Sequence, residues 1–161
     1  MDEESVLIGL LLTFIGFFII LLLIGIIFYI LHAIGLYKIA KRADRGDLAI
    51  LAWVPIANTF LMTLLVENDV HKELRGKVTL IYGISFVVSV FLSIFIQLAG
   101  FISLLIIYYA FYFLAKKLSP NPVLHIVIAI VTLGISMPIQ IFMFRNREFI
   151  NPEDQGSIID A

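Results

Sequence analysis

The chain has 161 residues, 61% of them hydrophobic, and a mean hydropathy of +1.08. Because a soluble domain averages roughly 45 to 50% apolar residues, this composition predicts an integral membrane protein and excludes a soluble globular domain. The net charge is −1 and cysteine is absent, which excludes disulfides, thiolate metal sites and cysteine nucleophiles. Any function must therefore operate inside the bilayer or at its faces.

The first apolar run, residues 6–37, predicts a transmembrane helix. It follows the acidic start MDEES and is too long for a signal-peptide core, so we expect it to stay in the mature protein. The helical pattern continues beyond it and places four cations on one face. A basic face here is typical of a cytoplasmic anchor and predicts contact with lipid headgroups or a partner. The four cations are Lys38, Lys41, Arg42 and Arg45.

The second apolar run, residues 48–66, matches the roughly 17 to 25 residues that a span needs, yet Trp53, Pro55 and Asn58 lie in its middle. Proline lacks an amide hydrogen and clashes with the preceding turn, and an asparagine side chain can satisfy backbone groups at a turn. The pattern therefore predicts a re-entrant or broken helical segment. The alternative is a kinked true span.

Three more spans are predicted downstream. Residues 78–97 and 100–118 form a helical hairpin that turns at residues 97–100, and residues 122–144, with Pro138 as a possible kink, form the last span. The predicted fold is an all-α membrane bundle of four transmembrane helices plus the re-entrant segment, or of five spans if 48–66 crosses. Residues 1–150 form one multi-pass domain, followed by a polar acidic tail, 151–161.

The distribution of Lys and Arg favours the re-entrant arrangement. If residues 48–66 cross, six of these cations lie inside and five outside, whereas nine lie inside and two outside if they turn back. The positive-inside rule prefers the second count. It also predicts that the N-terminus and the tail are both extracytoplasmic.

Polar residues form two stripes on the predicted helices. Small and hydroxylated residues at helical spacing let membrane helices approach closely, and their hydrogen bonds contribute roughly 0.6 to 2 kcal/mol each. We therefore interpret the stripes as helix interfaces, the alternative being that they face each other across a narrow polar path. The stripes are Ser85, Ser89, Ser93 and Gln97, and Thr132, Ser136 and Gln140.

Ionisable chemistry is sparse. No Asp, Glu, Lys or Arg occurs in residues 6–37, 78–115 or 118–144, which disfavours a coupled transporter. Three histidines, His32, His71 and His125, could bind a metal if the fold assembled them with a carboxylate. No close ligand motif supports this, so no cofactor is predicted.

A resemblance rests on two stretches, LYKIAKR at 36–42 and AWVPIAN at 52–58. Together they resemble small bacterial multi-pass membrane proteins whose function is mostly unassigned. The match covers about residues 36–70, and it implies a bacterial plasma membrane. Some such proteins carry a type I signal peptidase label, but this chain lacks the extracytoplasmic catalytic domain and the Ser/Lys pair that such an enzyme needs.

These observations predict an accessory or regulatory protein that packs against a larger membrane protein. Its expected partners are membrane lipid and another integral membrane protein or a second copy, with no nucleic acid. The alternative is a small passive channel or transporter lined by the Ser and Gln stripes. A metal-dependent membrane enzyme, resting on the three histidines, is a third hypothesis.

Overall fold

The computed structural model describes residues 2–92 and 100–150, and this part of the chain is all-α, with no strand. These residues form six α-helices and two short 3₁₀ segments, at Ala49–Trp53 and Lys72–Leu74. The helices are α1 Glu3–Arg42, α2 Ala57–Leu65, α3 Val78–Leu92, α4 Gly100–Leu118, α5 Pro122–Val131 and α6 Met137–Phe144.

Helix α1 is one uninterrupted helix of 40 residues, about 60 Å long at 1.5 Å per residue. It ends in a Schellman motif: Asp44 adopts a left-handed φ of 54° and the Arg45 amide donates to the Ala40 carbonyl at 3.1 Å. The side chains of residues 6–27 are exposed, whereas the last third of the helix is buried among other elements. The helix therefore consists of a free apolar part and a docked part.

The segment 48–66 is broken. The 3₁₀ segment ends at Trp53, and α2 begins only after Ile56, which adopts a left-handed φ of 70°. The turn is closed by backbone amides, since Ala57 donates to the Pro55 carbonyl at 2.8 Å and Asn58 to the Val54 carbonyl at 3.0 Å. Pro55 has no amide to continue the helix.

The segment 122–144 differs from the single helix predicted for it. Helix α5 has 10 residues and α6 has 8, and His125 Nδ1 lies 2.6 Å from Gln140 Oε1. In a continuous helix fifteen residues would separate these positions by about 22 Å. The two helices therefore fold back on each other, and residues 145–150 return to the end of the molecule where α5 begins.

The turn between α5 and α6 is also a Schellman motif. The Gly134 amide donates to the Ala129 carbonyl at 2.7 Å, and the Leu133 amide to the Ile130 carbonyl at 3.0 Å. Leu133 takes the left-handed position with a φ of 52°. A glycine usually occupies this position, so the sequence carried no clear signal for the turn.

The core lies at one end of the molecule, where the two broken segments pack against the docked part of α1 and the second half of α4. Leu36 and Ile39 of α1, Phe111 and Leu114 of α4, and Ile141 of α6 are all fully buried there. The backbone of α6 comes close to α1 at Gly35, where a Cβ would lie 2.7 Å from the backbone carbonyl carbon of Ile141.

Two helices in the described residues are long and apolar enough to cross a membrane: α1, and α4 from Phe101 to Leu118. Helices α3 and α5 are apolar but shorter. The described residues thus confirm the all-α prediction but not the four-span bundle, and α3 packs beside α4.

Candidate functional site: a charged end and two polar clusters

The charged end of the molecule is defined here as residues 38–47, 66–77, 116–118 and 145–150. Lys117 connects its parts, because its ammonium donates to the Leu65 carbonyl at 3.1 Å and pairs with Asp69 at 2.7 Å. The Ile150 amide donates to the Lys117 carbonyl at 2.9 Å. The loop after α2 and the segment after α6 are thus held together at the end of α4.

Arg42 ties the end of α6 to the end of α1. Its guanidinium donates to the carbonyls of Phe144, at 3.0 Å, and of Arg147. A cation at the last carbonyls of a helix satisfies acceptors that have no partner within that helix. The ring of Phe149 lies 5.6 Å from the Arg42 guanidinium and 5.4 Å from the Lys117 ammonium, so the segment after α6 is held between two cations.

All eleven Lys and Arg residues of the chain lie at the charged end, together with six of its Asp and Glu residues, which leaves this end with a net charge of +5. The apolar helices that extend from it carry no charged side chain except Glu3 and Glu4 in the first turn of α1, which follow Asp2. The predicted headgroup-contact residues are all here: Lys38, Lys41 and Arg45 at the end of α1 beside Arg42. Charge is therefore segregated along the molecule.

The stripe on α3 contacts α4 through hydroxyl groups. Ser89 Oγ lies 3.0 Å from Ser103 Oγ, and Ser85 Oγ lies 3.4 Å from the same atom. Ser89 and Ser103 are buried. The other two members of this predicted stripe, Ser93 and Gln97, lie outside the described residues.

The second stripe forms a hydrogen-bonded chain inside the turn from α5 to α6. Thr132 Oγ1 donates to Ser136 Oγ at 2.7 Å, and Gln140 Nε2 donates to Ser136 Oγ at 2.9 Å. Gln140 Oε1 meets His125 Nδ1, and His125 Nε2 meets Ser119 Oγ at 3.0 Å. Since the amide oxygen is an acceptor, His125 carries its proton on Nδ1. These residues hold the two helices together.

The three histidines have separate surroundings. His71 Nδ1 lies 2.8 Å from the Tyr109 hydroxyl, His125 belongs to the chain just described, and His32 Nε2 is buried without a hydrogen-bond partner. Within residues 2–92 and 100–150, no group of three His, Asp or Glu side chains is placed to hold a metal ion. The arrangement supplies no metal centre from these residues.

In the turn of 48–66, Asn58 contributes in a different way from the one predicted from the sequence, which was a hydrogen bond from its side chain. Pro55 breaks the helix, but Asn58 closes the turn with its backbone amide, and its side chain is buried. The Trp53 carbonyl, freed by the break, accepts a hydrogen bond from the Tyr29 hydroxyl of α1. Tyr29 lies thirteen residues before Arg42, about 20 Å from the charged end along the helix axis.

Sequence reasoning did not identify three residues that shape this packing: Ser103, Tyr29 and Gly35. Each acts on a partner remote in sequence, so periodicity within its own helix gave no signal. No protein-family model, no curated protein and no solved structure matches the chain. Function must therefore be argued from the geometry itself.

Proposed function

We propose that this chain is a plasma-membrane protein of the bacterial type whose charged end lies at the cytoplasmic face. In this arrangement α1 and the pair α3 and α4 cross the bilayer, and the broken segments 48–66 and 122–144 enter it only part-way from the cytoplasmic side. The N-terminus is extracytoplasmic and, unlike the sequence prediction, the tail is cytoplasmic. Its function is that of an accessory subunit that docks on a larger membrane protein through α1.

The main support for this placement is the concentration of the Lys and Arg residues at one end of the molecule. With 122–144 folded back, Arg145 and Arg147 join the other cations, so the count becomes eleven on one side and none on the other. The positive-inside rule places such an end in the cytoplasm. Helix lengths support the same placement, because 19 residues of α4 measure about 28 Å against a hydrocarbon core of about 30 Å.

The exposed turns of the two broken segments support partial insertion. Val54 and Ile56 at the first turn are about half exposed, and Leu133 at the second turn is 85% exposed. Apolar side chains at helix turns are stable in lipid but unfavourable in water. Several backbone groups in each turn are hydrogen-bonded within the chain, and such internal bonds are required of non-helical backbone at membrane depth.

The free part of α1 supports an accessory role. The apolar run 6–37 measures about 48 Å, longer than the hydrocarbon core even at a tilt of about 40°, the upper end of the observed range. Within the described chain nothing packs on the side of Gly9 or Gly16, where an added Cβ would meet no atom within 4 Å. Small residues seven apart on an exposed apolar helix favour close approach by a second helix.

The rival hypothesis, a passive channel, is less well supported. Ser89 is directed at Ser103, and Ser136 is enclosed by Thr132 and Gln140. Hydroxyls that bond to one another across a helix contact stabilise packing. They are then not displayed to a water-filled path.

The accessory role is tested by copurification from the native membrane in mild detergent. A double variant, Gly9→Leu with Gly16→Leu, should lose a stoichiometric membrane-protein partner because the larger side chains hold its helix away. The matched control, Ile8→Leu with Ile15→Leu, also changes two exposed positions seven apart and should retain it. Purification of the wild-type chain alone, or only as a homo-oligomer, would contradict the role.

A further inference from the structure

An apolar groove of about 700 Å³ runs along the outer face of α3, between that helix and Phe60 of α2. Its floor is open because Gly83 has no side chain, and a Cβ there would approach the Phe60 ring at 3.3 Å. Ile84, Val87 and Val88 continue the lining along the helix. From the level of Thr79 to that of Val88 the groove extends about 13 Å parallel to the helix axis.

Thr79 lies at the end of this groove nearest the charged end. It lines the groove, but its hydroxyl oxygen is buried and has no hydrogen-bond partner. A buried hydroxyl without a partner is unfavourable. Rotation to another staggered χ1 rotamer exchanges the hydroxyl with the methyl group and turns the hydroxyl towards the groove, where an acceptor oxygen would satisfy it.

A cation, Lys77, lies two residues before Thr79, at the other edge of the face of α3 that lines the groove. Lys77 is exposed and immediately precedes α3, where its carbonyl accepts from the Ile81 amide at 2.8 Å. Lys77, Leu80 and Ile84 follow the i, i+3, i+7 spacing of one helix face, and the last two line the groove. A long ammonium side chain at this level extends towards the headgroup region.

We propose that this groove is a binding site for a single anionic glycerophospholipid. One acyl chain lies along Gly83, Val87 and Val88, an ester carbonyl accepts from the Thr79 hydroxyl, and the phosphate pairs with Lys77. The order of groups along α3, cation, hydroxyl donor and apolar groove, is the order of phosphate, ester and acyl chain in the lipid. The net charge of +5 at this end selects an anionic lipid over a zwitterionic one.

The inference rests on the proposed membrane placement. Only in that placement does the groove lie at the depth of the acyl chains and Lys77 at the depth of the lipid phosphates. It adds a ligand of defined chemistry at a site remote from the free part of α1. The acyl chain would also cover Phe60 and thus stabilise the contact of α2 with α3.

The test is native mass spectrometry of the purified full chain, delipidated in detergent and then given phosphatidylglycerol or phosphatidylcholine. The wild type should retain one phosphatidylglycerol in preference to phosphatidylcholine. Val87→Trp should abolish that retention by filling the groove. Val127→Trp on α5 is the matched control, since both valines are about half exposed, and it should bind lipid as the wild type does.

Two subtler variants keep the test decisive even if the tryptophan disturbs folding. Thr79→Val deletes only the hydroxyl and should weaken phosphatidylglycerol retention about three- to tenfold, as one lost hydrogen bond does. Thr13→Val, which removes the hydroxyl bonded to the Gly9 carbonyl of α1, should have no effect. Lys77→Gln should weaken retention about fivefold, whereas Lys72→Gln on the exposed loop should not.

Equal retention by the wild type, Val87→Trp and Thr79→Val would overturn the site and show that only annular lipid binds. Alkaline carbonate extraction separates this result from failure of the membrane placement. A chain released by carbonate contradicts the placement and the groove together. A chain that stays in the membrane but shows equal lipid retention contradicts the groove alone.

Discussion

The two broken segments, residues 48–66 and 122–144, both turn back inside an apolar run, but they differ in how their turns are made. The first breaks at Pro55, and its freed carbonyl at Trp53 is satisfied from outside by Tyr29 of α1. The second ends α5 in a Schellman motif and is stabilised from within by polar side chains of its own two helices. An apolar run that is long enough to span can thus turn back by either of two different structural means.

This difference explains which segment the sequence could predict. Proline in the middle of a short apolar run strongly disfavours a continuous helix, so the break in 48–66 could be predicted from the sequence. In the second segment Leu133 occupies the left-handed position, and Gly134 follows it one residue late. Pro138, interpreted as a kink within one span, lies in the first turn of α6, where proline is tolerated.

The largest effect should follow from separating the second segment from α1. Gly35→Ala places a Cβ 2.7 Å from the Ile141 backbone, and overpacking of this kind costs about 1 to 3 kcal/mol. We expect a lower thermal unfolding temperature in detergent and faster proteolysis after Phe144. Gly25→Ala, where a Cβ meets nothing within 4 Å, should change neither, and an equal loss in both variants would contradict the docking of α6 on α1.

Removing the internal polar chain should have the next largest effect. Gln140→Leu leaves the Nδ1 hydrogen of His125 without its acceptor, at about 1 to 3 kcal/mol for an unsatisfied group away from water, and removes one of the two donors to Ser136. The unfolding temperature should fall, with the segment 48–66 unaffected in protease mapping. Ile139→Leu, one residue away on an exposed face, is the control. An unchanged unfolding temperature in Gln140→Leu would show that the chain does not hold the hairpin.

The Schellman turn predicts a stabilising substitution. Leu133 is 85% exposed and left-handed, so Leu133→Gly removes a backbone strain of about 1 to 2 kcal/mol and loses little packing. The unfolding temperature should rise. Val131→Gly, at a similarly exposed position that is helical, should lower the unfolding temperature, because glycine destabilises a helix by about 1 kcal/mol. A lower unfolding temperature in both variants would contradict the left-handed conformation of Leu133 in this turn.

The smallest expected effect is the difference in stability loss between two tyrosine variants. Each of these tyrosines contacts one of the broken segments from a neighbouring helix. Tyr29→Phe leaves the Trp53 carbonyl without its donor and should cost about 1 kcal/mol. Tyr108→Phe should cost less, because its hydroxyl is 3.3 Å from the Ala129 carbonyl, which also accepts from the Gly134 amide. Denaturation of both variants in one detergent gives the comparison. The reverse order would show that the second segment also depends on support from outside.

Much of the architecture was predictable from local pattern, and the remainder depends on contacts between helices. The bounds of α4 agree with the predicted 100–118, and the break in 48–66 follows from Pro55. Ser85 and Ser89 were singled out as an interface, but their hydrogen-bond partner Ser103 belongs to another helix. The role of Gly35 depends on a neighbour more than one hundred residues away, which no single-helix pattern contains.

The most direct test of the account is the sidedness of the segment after α6. In this cysteine-free chain, single substitutions Asn146→Cys, Lys72→Cys and Asp2→Cys place thiols at exposed positions, to be labelled by a membrane-impermeant reagent in intact and in permeabilised cells. The account predicts that positions 146 and 72 are labelled only after permeabilisation and position 2 in intact cells. Labelling of position 146 together with position 2 would mean that residues 122–144 cross the bilayer, and would contradict the fold-back arrangement.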